Sequence, residues 1–230
     1  MCGRFLHTAP IETVRALFDV AVEGPPAPPR YNIAPGQPIG VIAQDGSGAR
    51  THRVMRWGFC PAWAKPDSPM AKAPLINARG ETAFEKPSFR DAWRKRRCLI
   101  PATGFYEWQG STSRRQPILL TPHHGGLIAF AGLWETQKGP DGAAIDGAAI
   151  VTMPAGPDIA PLHDREPVLI APEAFSAWLS MPESAFSLMQ PAPAGFWRQR
   201  AVAPIINQSR RDGPELAQEL GIPDFGAGHA

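Results

Sequence analysis

The chain has no run of apolar residues approaching the roughly 20 that a bilayer-spanning helix needs. Its first residues lack the basic, apolar and small-residue progression of a secretory signal. A membrane or exported protein is therefore not expected, and a cytoplasmic one is. Cysteine is scarce: Cys2, Cys60 and Cys98 are odd in number and far apart. That spacing excludes a disulfide framework and suits a reducing compartment. Cys-x-x-Cys, His-x-x-x-His and dense carboxylate loops are all missing, so no metal is expected. A glycine-rich phosphate cradle is missing too, and no cofactor is expected. Excess charge of one sign is also lacking. A formal net charge of +2 excludes a polycation, so any nucleic-acid role must rest on a local basic surface.

Proline and glycine are abundant instead, at 27 and 22 of 230 residues. Spread along the chain, they favour many short elements and ordered loops over long helices. Hydrophobic content of 43% and charge of 19% fit an ordinary globular protein. The pattern predicts a strand over 2–7, then a helix opened by Thr8 and Pro10 with Ile11, Val14, Leu17 and Phe18 on its apolar face. The stretch Glu23 to Arg30 reads as a stiff proline-rich loop. Strands are expected over 38–44 and 51–57, joined at Gln44–Gly48. Short helices are expected over 81–85 and 88–94, the second capped by Ser88. Strands follow over 97–101 and 105–109, then a hairpin of 116–121 with 127–134 around His123-His124-Gly125-Gly126. A soft loop over 139–147, strands over 148–153, 168–171 and 201–206, a helix from Pro172 to Ser180 and a last helix from Gly213 complete the reading. Strands outnumber helices and lie close together. The expectation is one α+β domain over residues 1–222, with an antiparallel, barrel-like β core, short flanking helices and a frayed tail over 223–230.

Polar residues inside apolar strands are costly unless paired or used. Four such stretches stand out: Cys2 with Arg4, Asn77 with Arg79, Glu107 between Tyr106 and Trp108, and His163-Asp164-Arg165. If Met1 is removed, Cys2 carries both an α-amine and a thiol. Against an aldehyde the amine forms a Schiff base and the thiol closes it to a thiazolidine. No internal cysteine can do this. In a strand, Glu107 shares one face with Phe105, while Tyr106 and Trp108 share the other. Apolar surroundings would raise its pKa and fit it for proton transfer near neutrality. Pairing with Arg4 or Arg97 is the structural alternative. His163 could equally be a structural histidine, and Asn77 a cap. Lys86, Arg90, Arg94, Lys95, Arg96 and Arg97 cluster, and Trp57, Trp63 and Trp93 interleave with basic residues as in single-strand binders. Tryptophans are also common core residues.

These stretches together resemble the SRAP family of abasic-site processing proteins. The matching pieces are Met1-Cys2-Gly3-Arg4-Phe5, Tyr31-Asn32-Ile33-Ala34-Pro35, Arg56-Trp57-Gly58, Ile76-Asn77-Ala78-Arg79, Arg97-Cys98-Leu99-Ile100-Pro101, Gly104-Phe105-Tyr106-Glu107-Trp108, His163-Asp164-Arg165 and Asp212-Gly213-Pro214-Glu215-Leu216. The resemblance implies a monomer that loses Met1, by self-cleavage or otherwise. It implies binding to single-stranded DNA and trapping of an abasic-site aldehyde as a thiazolidine, with crosslink reversal and a minor lyase side reaction. It casts Cys2 as nucleophile, Asn77 as the orienting amide, Glu107 as acid/base and His163 as the group that opens the sugar. Arg4, Arg79 and Arg165 become DNA contacts, and Trp63 packs beside a base near the lesion. Glu166 and Arg211 depart from the family pattern. As an extra carboxylate, Glu166 is expected to weaken phosphate binding locally or to shift the His163 pKa upward. An N-terminal-nucleophile amidase acting on a small molecule, or a binding module without chemistry, are the alternatives that the residues alone leave open.

Overall fold

The computed structural model describes residues 2–21, 28–110, 115–139 and 141–220. In chain order the strands are β1 (Phe5–His7), β2 (Arg30–Ile33), β3 (Pro38–Gln44), β4 (Arg50–Trp57), β5 (Asn77–Arg79) and β6 (Arg97–Ala102). They continue as β7 (Gly104–Gln109), β8 (Gln116–Pro122), β9 (Ile128–Lys138), β10 (Ala144–Pro154), β11 (Arg165–Pro167) and β12 (Trp197–Ala201). Between them lie short helices: α1 (Ile11–Phe18), α2 (Pro69–Lys72), α3 (Gly80–Ala83), α4 (Arg90–Lys95), α5 (Phe175–Ser180) and α6 (Ala185–Leu188).

Five strands close on themselves. β3 pairs with β4 and β6, β6 with β9, β9 with β10, and β10 returns to β4. All these ladders are antiparallel except β10 with β4. Closure leaves the barrel with no open edge. Beyond the end of β4, β10 takes β5 as a parallel partner, with Ile150 opposite Asn77 and Thr152 opposite Arg79. On its other side it takes β11, with Thr152 opposite Pro167. A second, antiparallel sheet runs β12-β8-β7-β1-β2. The two sheets enclose a core in which Phe5 packs edge-on to Trp57 at 5.1 Å and to Phe130 at 6.0 Å. The expected α+β class and barrel-like core are what the chain adopts.

Several local expectations are corrected. β8 and β9 do not form a hairpin. β8 pairs with β7 and β12, whereas β9 pairs with β6 and β10, so His123–Leu127 carries the chain from one sheet to the other. A turn signal such as Gly125-Gly126 fixes a change of direction but not a partner. Apolar runs such as Leu119-Leu120 and Phe130-Ala131 are buried on both faces and pair wherever the ladder is longest. The soft loop over 139–147 is shorter than expected, because the β9–β10 ladder reaches Lys138 opposite Ala144. The strand near 168–171 falls earlier, at Arg165–Pro167, and Leu169 makes only an isolated bridge to Phe130. The strand expected over 201–206 ends at Ala201, and Pro204 opens a 3-10 turn, since proline has no N–H for a ladder. Phe89, not Ser88, occupies the cap position of α4. Most of the proline-rich stretch and the tail over 223–230 lie outside the described residues.

A buried asparagine locks the N-terminal strand to the end of the chain. Asn32 is fully buried, and its amide nitrogen donates to the carbonyls of Arg211 (2.8 Å), Gln208 (3.1 Å) and Ile206 (3.3 Å). Its Oδ1 accepts from Arg4 Nη1 at 2.6 Å, and its backbone N–H donates to Asp212 at 3.1 Å. Removing such a hub strands several buried polar groups at once. We expect Asn32→Ala to lower unfolding free energy by about 2–4 kcal/mol in chemical denaturation. A loss below about 0.5 kcal/mol would show that these bonds do not hold the region.

Candidate active site

The site is assembled around the first residues of the chain. Phe5 lies opposite Phe105 and Leu6 opposite Gly104 in the β1–β7 ladder, and Tyr106 N–H donates to Arg4 O at 2.9 Å. Continuing that antiparallel register puts Gly3 opposite Glu107. On its other side β7 comes close to β8, which Gly104 permits, because a Cβ there would sit 2.4 Å from Leu120 O. Cys2 is fully buried, and its thiol points toward Arg4 O at 3.9 Å. Burial pushes the Cys2 thiol well above its ordinary value, and the negative charge of Glu107 pushes it further.

Asn77 reaches Cys2 from the barrel side. As the first residue of β5 it is fixed by parallel pairing to β10, and its Nδ2 donates to Cys2 O at 2.9 Å. Its Oδ1 is buried and has no hydrogen-bond donor among the described residues. Glu107 is 4% exposed, and burial raises its pKa above the usual carboxylate range. The amino terminus and His163 counter this rise electrostatically without cancelling it. Phe105 and Glu107 share the inner face of β7, while Tyr106 and Trp108 pack into a separate cluster, as strand alternation requires.

His163 approaches from the loop before β11. Its backbone N–H donates to Ile159 O at 3.0 Å. Its Nδ1 accepts the N–H of Arg165 at 2.9 Å and lies 2.8 Å from Asp164 Oδ1. A neutral ring that accepts at Nδ1 carries its proton on Nε2. A protonated ring instead presents Nδ1–H to Asp164. Cys2, Asn77, Glu107 and His163 therefore form one constellation: a buried thiol beside an amide, an acid tuned upward and an imidazole.

The SRAP family model, described as SOS response associated peptidase, matches residues 1–209. The chain belongs to the SRAP family. It is 35% identical to abasic site processing protein YoqW of Bacillus subtilis over 95% of this chain and 99% of that one. It is 29% identical to YedK of Escherichia coli, likewise named an abasic site processing protein, over 96% of this chain and 100% of that one. The mouse protein HMCES, of the same description, is 30% identical over 70% of this chain and 54% of its own length. A crystal structure of a Bacteroides thetaiotaomicron protein shares the fold, with a TM-score of 0.84 at 20% identity over 95% of this chain and 100% of that one.

The other expected site residues of this SRAP chain fall outside the quartet. Arg79 is exposed at the end of β5, two residues after Asn77. Arg4 is half-buried, with Nη1 committed to Asn32 and to Ile206 O at 2.9 Å. Trp63 is 60% exposed and donates to Pro87 O at 3.3 Å, beside an open cavity of about 500 Å³ that Lys65 and Met70 help line. Arg165, expected on the DNA surface, is 8% exposed and forks onto Glu81, with a further bond to Thr152 O at 2.7 Å. Its guanidinium ties β11 to α3 and β10 and is not presented outward. Glu166, expected to act against phosphate, is 2% exposed and accepts from two backbone amides instead. Trp57 and Trp93 are core residues. Of the basic cluster, Arg97 is buried against the carbonyls of Trp93, Trp178 and Leu179, and Arg96 pairs with Glu135. Lys86, Arg90, Arg94 and Lys95 stay exposed. Sequence reasoning assigned no role to Asn32, Asp212 or Glu81. Each lies within or beside a matched motif, but its work is hydrogen bonding to chain distant in sequence.

The raised pKa of Glu107 has a consequence for stability. The folded state holds the proton to a higher pH than the unfolded state does. Between the ordinary carboxylate range and the raised folded value, the native state therefore binds more protons. Stability contributed at this position is full at low pH and is lost as pH rises through that window. The stability of the wild type minus that of Glu107→Gln, followed by denaturation, should fall as pH rises from about 4 toward neutrality. A difference that stays flat or rises would contradict the burial of the carboxylate.

Proposed function

We propose that this chain captures abasic sites in single-stranded DNA as a covalent thiazolidine on Cys2, once Met1 has been removed by hydrolysis of the Met1–Cys2 bond. The observation that carries this reading is the convergence of Cys2, Asn77 and Glu107 in one buried site, with His163 in electrostatic reach of Glu107. The names of the relatives supply the substrate class.

The chemistry balances around a Glu107 that begins protonated. His163 moves a proton from the anomeric hydroxyl to the ring oxygen, opening the sugar to its aldehyde. The Cys2 amine attacks C1′ and gives a carbinolamine. Glu107 donates its proton as the C–O bond breaks, water leaves and a protonated imine remains. A thiol held above its ordinary pKa does not compete as a thiolate, so the amine attacks first. Sγ then bonds C1′ while its proton passes to Glu107, and the nitrogen recovers its electron pair. One water is lost overall, and Glu107 ends as it began. Read in reverse, the same carboxylic acid releases the crosslink. From the imine, β-elimination of the strand is the competing lyase path. Asn77 holds the Cys2 carbonyl and offers Oδ1 to the amine or the sugar. Arg79 and Arg4 provide positive charge for the flanking phosphates, and Trp63 offers a face for a neighbouring base. An abasic site has no base to unstack, so little binding energy is consumed in exposing it.

Incubated with an abasic single-stranded oligonucleotide, the mature chain should give a heat-stable species whose intact mass is the sum of both partners less one water. Cys2→Ala should give none. Glu107→Gln should slow adduct formation by about 10²–10⁴-fold while leaving affinity for undamaged single strands unchanged. An undiminished adduct from Cys2→Ala would overturn the reading. Separately, Trp63→Ala should weaken single-strand affinity by about 1–3 kcal/mol in a fluorescence titration. No change would remove Trp63 from the DNA path.

A further inference from the structure

We propose that Glu166 is a positioning residue for His163: a buried carboxylate that holds the Gly156–His163 loop so that the imidazole faces Glu107. The inference rests on the reading of His163 as part of the capture site. β11 is only three residues long, and its side chains alternate. Arg165 turns one way, onto Glu81 and Thr152. Glu166 turns the other way, and each of its oxygens takes one backbone amide: Oε2 from Gly156 at 2.9 Å and Oε1 from Ala192 at 2.8 Å. A carboxylate buried to this degree is costly, and burial raises its pKa despite those two bonds.

From Gly156 a run of turn bonds leads to the imidazole. Ile159 N–H donates to Gly156 O at 3.1 Å, and His163 N–H to Ile159 O at 3.0 Å. Gly156 has room for this because it has no side chain: a Cβ would meet Pro191 Cβ at 2.9 Å and Ala192 O at 3.0 Å. Asp158, inside the same loop, makes a second clamp of the same kind, accepting from Gly195 N and Trp197 N at 3.0 Å each. Trp197 in turn packs edge-on to Phe105 at 5.1 Å, two residues from Glu107 on β7. Both carboxylates thus reference the His163 loop to the segment that packs on the strand carrying Glu107. Among the described residues, charged groups facing His163 include Glu107 from β7 and Asp164 beside it.

The test is a double-mutant cycle with a spectroscopic companion. Adduct formation on an abasic single-stranded oligonucleotide is timed for the wild type, Glu166→Gln, His163→Ala and the double variant. Glu166→Gln should slow capture by about fivefold or more when His163 is present, and by less than about twofold when it is absent. In parallel, the imidazole nitrogen resonances of His163 are titrated by NMR, and their midpoint should move in Glu166→Gln. Asp158→Asn, which opens the other clamp, should move it as well and serves if Glu166→Gln does not fold. Superimposable imidazole titrations would overturn the proposal, as would equal slowing in both His163 backgrounds. If the wild type forms no adduct, the capture reading fails, while the imidazole titration still decides the positioning role.

Discussion

Everything chemical in this protein depends on the short antiparallel ladder between β1 and β7. A chain terminus is ordinarily the least constrained part of a fold. Here Phe5 and Leu6 are registered against Phe105 and Gly104, and the Arg4 carbonyl is held by Tyr106. Because a strand alternates faces, a slip of one residue would turn Glu107 away from Cys2 altogether. Phe5, wedged edge-on against Trp57 and Phe130, resists such a slip by packing. The terminus is therefore a structural element, and the reactivity proposed for it follows from where the ladder leaves it.

The same placement opposes stability to reactivity. Burying a thiol and a carboxyl together raises both pKa values. For a thiolate nucleophile that would be a defect. For the imine chemistry proposed it is suitable, since the step that needs help is loss of water, and a carboxyl whose pKa is raised by burial holds its proton for that step more readily than an exposed one. The surrounding framework offsets the cost with satisfied polar bonds: Asn32 to three carbonyls and to Arg4, Asp212 to the β2 backbone, and Arg165 to Glu81. The closed barrel contributes Asn77 and, through β11, the loop bearing His163. The second sheet contributes Cys2 and Glu107. The site exists only where the two meet.

Much of this was legible in the residues. Glu107 between two aromatics, a cysteine at position 2, and polar residues beside apolar strands marked the residues that the fold brings together, because burying such groups without use is costly. β3 is legible over its full length, and so is the Pro172 entry to α5, since both rest on local patterns. Partner choice was not legible. The 116–134 region read as a hairpin, yet its two strands lie in different sheets, because doubly buried strands carry no mark of which neighbour they will take. Side-chain direction was also hidden. Arg165 and Glu166 read as charges near the DNA, but a three-residue strand covered on both faces turns them inward. The tryptophans divided as their surroundings dictate: Trp57 and Trp93 entered the core, and Trp63 stayed outside.

The most direct measurement is a crystal structure of the mature chain bound to a single-stranded oligonucleotide with one abasic site. C1′ of the sugar is expected bonded to both the nitrogen and the Sγ of Cys2, with the Glu107 carboxyl and the Asn77 amide against the new ring. A sugar attached to any other side chain, or one lying outside the space between the two sheets, would contradict it.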